Sequence, residues 1–142
     1  MAEDGPAGRR FRLSEARAML PEVDRLLGEM LAARERAAQA RALIDSLRRS
    51  ARSNGASTHV DTGQLQERFD RQAARLQELG GELESLGVQL KDLDRGLVDW
   101  PAERHGETVL ICWLRGEEGI GWWHDQYTGF AGRQPIVEEE WD

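Results

Sequence analysis

The sequence predicts an α+β protein, a long antiparallel helical hairpin followed by a small three- to four-stranded antiparallel β-meander. Three observations carry this. Apolar residues recur at alternating spacings of three and four through the first half. The first hundred residues are dominated by Ala, Leu, Arg, Glu and Gln, the strong helix formers. All five tryptophans, Trp100, Trp113, Trp122, Trp123 and Trp141, stand at or beyond position 100, where the period changes to alternation. At 142 residues the chain has the size of one domain.

The elements follow in order. Residues 1–12 are polar with Gly and Pro and read as a flexible tail rather than a signal peptide. Helix 1 spans 13–51. Ser14 is a candidate N-cap, Glu15 faces the positive end of the helix dipole, and Pro21 kinks the helix or restarts it. Its seam is Ala16, Met19, Val23, Leu26, Met30, Ala33, Ala37, Ala40, Ile44, Leu47 and Ala51, a coiled-coil pattern. Residues 52–63, which include His59, form a polar loop, and Asp61 with Gln64 looks like a capping box. Helix 2 spans 64–86, with a seam of Leu65, Phe69, Gln72, Leu76, Leu79, Leu83 and Leu86.

An antiparallel fold about the loop pairs Leu47 with Phe69 and Met30 with Leu86, and between them small residues face large ones, Ala40 with Leu76, Ala37 with Leu79 and Ala33 with Leu83. Gly80 and Gly81 lower helix propensity, so a bend or a close backbone approach is expected there. The Trp-rich meander covers 87–125. Within it, residues 88–93 fit either a strand or a helical continuation, and 108–114 are the strongest strand. Residues 126–142 read as a loop and an acidic tail.

Nineteen basic residues against twenty-six acidic ones give a net charge of −7. That balance argues against nucleic acid or an anionic membrane as partner, since both need a positive surface field. Ten basic residues face eight acidic ones in 1–50, but three face nine in 101–142. A single cysteine excludes internal disulfides and multi-cysteine metal frameworks. No apolar run is long enough to span a bilayer, and the expected location is cytoplasmic.

Several runs then suggest a family. They are Gly87 to Ala102 (GVQLKDLDRGLVDWPA), Leu110-Ile-Cys-Trp113, Gly116-Glu117, Trp123-His124, and Gly129 to Pro135 (GFAGRQP). Together with the opening Phe11–Leu20, they resemble the bacterial domain-of-unknown-function family 2203 over nearly the whole chain. Trp100 stands where the family pattern more often has Phe. The resemblance implies no activity.

The side chains able to carry chemistry sit in the Trp-rich part. Cys112, His124 and Asp99 could together hold a metal ion if they converge. Asp99, Trp100, Trp113, Trp122, Trp123 and Arg133 are candidates for binding a small ligand. Each has a plainer reading: a buried inert cysteine, a tryptophan core, and an arginine paired to an acidic neighbour. As a nucleophile, Cys112 would need His124 or His105 as base, and no spacing provides that arrangement. His105 is expected to be exposed in a turn. No cofactor is required by the sequence, although a single metal ion is possible.

The register of the last hairpin decides whether Cys112 and His124 share a face. The Gly116–Gly119 composition favours an even loop, which separates them. Trp122 and Trp123 must point to opposite faces, so one of them covers a second surface such as a partner or the tail. Two functions follow. The favoured one is a non-catalytic interaction or scaffold module that engages a protein partner or a second copy. The other is a ligand or metal site built around Asp99, Cys112, His124 and Arg133.

Overall fold

The computed structural model describes residues 8–53 and 60–141. Expectations for the first seven residues and for the His59 loop therefore lie outside the described residues. Two helices come first, α1 (Leu13–Ser53) and α2 (Gly63–Ser85). A five-stranded antiparallel sheet follows, β1 (Gln89–Asp92), β2 (Leu97–Arg104), β3 (Glu107–Leu114), β4 (Trp122–Asp125) and β5 (Gln134–Pro135), in the order β1-β2-β3-β4-β5. The class is the α+β hairpin and meander that the patterning predicts, extended by a two-residue fifth strand. The chain divides into two compact units, Met1–Leu27 with Gly81–Asp142, and Gly28–Gly80. No helix among the described residues is long and apolar enough to cross a membrane.

α1 continues through Pro21. Its cap is not Ser14. The helix starts one residue earlier, and Glu15 Oε1 accepts the backbone N–H of Arg12 at 2.8 Å, the returning half of a capping box. The apolar seam is buried at Ala16, Val23, Leu26, Met30, Ala33, Ala37, Ala40 and Ile44, then ends, since Leu47 is exposed.

Within Gly28–Gly80, side chains of α1, Met30 and Arg41 among them, reach α2. The Met30 methyl lies 3.7 Å from where a Gly80 Cβ would stand, and the Arg41 guanidinium covers the Phe69 ring at 4.6 Å. A Cβ at Gly80 would meet that methyl at ordinary contact distance, and the Arg41–Phe69 contact is a cation–π pair between the two helices. A Cβ built on Gly80 or Gly81 would meet no other backbone within 4 Å, so neither glycine is required by a close backbone approach on its side-chain side.

Residues 89–92 are strand, because Gly87 (φ 89°) ends the helical run. Gly96 (φ 69°) turns β1 into β2. A Cβ there would stand 2.5 Å from Arg115 Cβ, so the turn admits glycine alone. His105 (φ 53°) and Gly106 (φ 82°) form the two-residue connection between β2 and β3, and His105 is exposed as expected.

The strand registers sort the sheet into two faces. Asp99 pairs with Cys112, Cys112 with Trp122, and Leu110 with His124. Asp99, Cys112, Trp122 and His124 therefore share one face. The other carries Val98, Trp100, Ala102, Val109, Ile111 and Trp113, all buried.

The even loop favoured from composition is not what forms, and the predicted separation of Cys112 from His124 is corrected. The chain closes a local turn at Leu114–Glu117, where Glu117 N–H donates to the Leu114 carbonyl and Glu117 Oε1 accepts the Leu114 N–H. It then buries Ile120, whose carbonyl accepts from Arg17 at 2.8 Å. These contacts, rather than glycine spacing, set the parity.

The acidic tail is likewise folded. Glu138–Glu140 is a 3-10 turn; Glu138 pairs with Arg17 and Glu140 with Arg104. Trp141 packs 6.0 Å from Trp123 between ring centroids, and Arg104 lies over both rings. The second surface covered by one member of the Trp122-Trp123 pair is this tail.

Candidate metal centre

Three neighbouring strands bring Asp99 (β2), Cys112 (β3) and His124 (β4) to one point. One ligand atom from each lies within 4.8 Å of the others. All three are buried, at 1%, 0% and 3% exposure. Asp99 and Cys112 are direct cross-strand partners, and His124 reaches Asp99 from one pair further along.

Both ring nitrogens of His124 face acceptors. Nδ1–H donates to the Asp125 carbonyl at 2.6 Å, while Nε2 lies 3.0 Å from Asp99 Oδ2. The carbonyl has no proton to give, so Nδ1 carries the hydrogen and Nε2 shares one proton with the carboxylate. Burial pushes Asp99 above the usual carboxylate range, opposed chiefly by the charge of His124. The Cys112 thiol sits beside the same carboxylate as a weak donor, and Asp99 Oδ1 is left with no partner in hydrogen-bond geometry. Burial and the neighbouring Asp99 push that thiol up to about 12, so at neutral pH it is protonated and not poised as a nucleophile.

Asp125 holds the ring in place. Its carboxylate accepts the N–H groups of Tyr127 and Thr128, both at 2.8 Å, which anchors the loop after β4 and holds its own carboxyl below the usual range. Its carbonyl is thereby a fixed acceptor for Nδ1. A histidine oriented this way presents Nε2 as its free ligating atom once the shared proton leaves.

Of the remaining candidates, Trp122 and Arg133 belong to the cluster's face. The Arg133 guanidinium lies over the rings of Trp122 (4.9 Å) and Phe130 (4.7 Å) and donates to both Glu117 carboxylate oxygens. The expected acidic neighbour of Arg133 is Glu117; nothing local in the sequence marks it. Trp100, Trp113 and Trp123 lie on the opposite face. Trp100 is fully buried and Trp113 Nε1 donates to the Glu117 carbonyl, so both pack as core, while Trp123 packs in a tilted contact with Trp141 of the tail. A cavity of about 520 Å³, lined by Arg10, Phe11, Glu15, Arg104, His105 and Trp141 among others, lies apart from the cluster and contains none of its members.

A helical pair followed by a five-stranded meander with one buried S/N/O cluster defines the class of protein. The model of the uncharacterized conserved protein family DUF2203 matches residues 9–136, and the chain belongs to that family. No curated protein and no solved structure matches it.

Proposed function

We propose that the protein binds one divalent transition-metal ion, Zn²⁺ fitting best, through Cys112 Sγ, His124 Nε2 and an Asp99 carboxylate oxygen. The convergence of three buried ligand atoms within 4.8 Å carries this reading. Bonds of about 2.0–2.3 Å to each would need only small side-chain shifts. A thiolate with an imidazole excludes Mg²⁺ and Ca²⁺, which take oxygen ligands.

The charge balance supports a divalent ion. With the shared proton and the thiol in place the cluster is neutral. With thiolate, carboxylate, neutral imidazole and a divalent cation it is neutral again. Loading therefore exchanges about two protons for the metal and leaves no net charge buried. The test is equilibrium dialysis of the full chain against Zn²⁺, followed by elemental analysis. One zinc per chain, lost in Cys112→Ser, is expected; wild-type protein that retains none overturns the reading.

A second reading, an interaction module, is favoured by Leu43 and Leu47. They sit one turn apart on α1, 51% and 42% exposed, on either side of Ile44, the last buried residue of the seam. A second copy of the chain or another protein would cover them. Sedimentation equilibrium tests this: self-association abolished by Leu43→Glu with Leu47→Glu supports the second copy, and a monomer at all concentrations removes it. The net charge of −7 keeps nucleic acid and anionic membrane outside both readings. A cytoplasmic location, where thiols stay reduced, suits a cysteine ligand.

A further inference from the structure

Two buried polar atoms on the cluster's face lack hydrogen-bond partners, the acceptor Asp99 Oδ1 and the donor Arg133 Nε. Leaving such groups unsatisfied in the interior is costly, the more so when they are charged. The Arg133 side chain is 10% exposed and held on three sides, by the Trp122 ring, the Phe130 ring and the Glu117 carboxylate. Trp122 is the cross-strand partner of Cys112, and the charge of Arg133 acts on the Cys112 thiol. A fixed guanidinium with one idle N–H thus lies over the ring of Cys112's cross-strand partner, on the face of the proposed ligands.

A metal ion answers Asp99 Oδ1 but leaves Arg133 Nε without an acceptor. Three protein ligands also leave one tetrahedral position open. One group meets both demands. A carboxylate offers one oxygen to the metal and the other to the Arg133 N–H, a charge-assisted bond. Trp122, 37% exposed, gives this position an aromatic border on the solvent side. Lys91, whose charge reaches Asp99, helps to offset the added negative charge.

We infer that the open position at Asp99, Cys112 and His124 takes a small carboxylate ligand anchored by Arg133. This rests on the metal-binding reading, and the test separates the two. The full chain is loaded with Co²⁺ and titrated with acetate while its visible spectrum is followed, with inorganic phosphate as the parallel arm. The thiolate-to-cobalt band reports metal binding, and the ligand-field bands report the fourth ligand. The expected result is a saturable ligand-field shift with acetate, weakened at least about tenfold in Arg133→Gln and Arg133→Lys, both of which keep the thiolate band. Ligand-field bands unmoved by acetate, or equal acetate affinity in both variants, overturn the inference while the metal site stands. Phosphate binding as tightly as acetate overturns the carboxylate assignment. Absence of the thiolate band in wild-type protein overturns the metal site, and the inference with it.

Discussion

The helical unit Gly28–Gly80 and the sheet place their polar groups in opposite ways. In the helical unit the charged contacts lie at the surface, as with Arg75 bonded to Glu29 and Glu78, and the interior is Ala, Leu, Ile and Met. In the sheet, an acid, a thiol and an imidazole are buried together, and a nine-tenths-buried arginine stands on the same face. Surface ion pairs are exchangeable with solvent and contribute little. Buried polar groups are costly unless satisfied, so a cluster of them with two orphaned atoms is where a bound ligand would gain the most. The comparison teaches that function is to be sought in the sheet, while the helices follow ordinary packing rules.

The largest effect should separate the two regions outright. Asp99→Ala strips His124 Nε2 of its partner inside the sheet and is expected to cost about 3–5 kcal/mol, the range for breaking a buried pair. Arg75→Ala, at the helical surface, is expected to leave the denaturation midpoint unchanged. Urea unfolding of both variants checks this, and equal effects would erase the distinction.

Next is the alkaline limit of the metal-free protein. The Cys112 thiol is raised from 9.0 to about 12 on folding. Its contribution to stability is therefore complete below pH 9 and is lost as the pH climbs toward 12. At about 1.4 kcal/mol per pH unit the loss approaches 4 kcal/mol. Cys112→Ala should lack this part of the stability profile, and in zinc-loaded protein, where the thiolate is the bound form, the profile should flatten.

The two glycines give smaller effects of opposite sign. Gly96→Ala places a Cβ against Arg115 in a left-handed backbone and should cost on the order of 3 kcal/mol. Gly80→Ala meets only the Met30 methyl at ordinary contact distance and should stabilise by about 1 kcal/mol through helix propensity. A destabilised Gly80→Ala would mean that the helical unit hides a constraint of its own.

What was legible in the sequence was local and periodic. The α1 seam from Ala16 to Ile44, the strand at 108–114 and the break at Gly87 all follow from spacing or from one residue's backbone preference. The convergence of Asp99, Cys112 and His124 depended on the parity of one hairpin. That parity is set by Glu117 closing a turn on Leu114 and by Arg17 holding the Ile120 carbonyl, the second across a hundred residues of chain. The docking of the tail through Arg17, Arg104 and Trp123 is equally non-local. Composition can name the residues of a site, but a one-residue slip in register decides whether they meet.

The most direct test of the metal centre is to count protons as Zn²⁺ binds, by calorimetry at neutral pH in buffers of different ionisation enthalpy. The proposed site predicts release of about two protons per zinc, one shared by Asp99 and His124 and one from the Cys112 thiol, and neither zinc binding nor proton release in Cys112→Ser. Binding without proton release, or release unchanged in Cys112→Ser, would contradict a site at which metal replaces those protons.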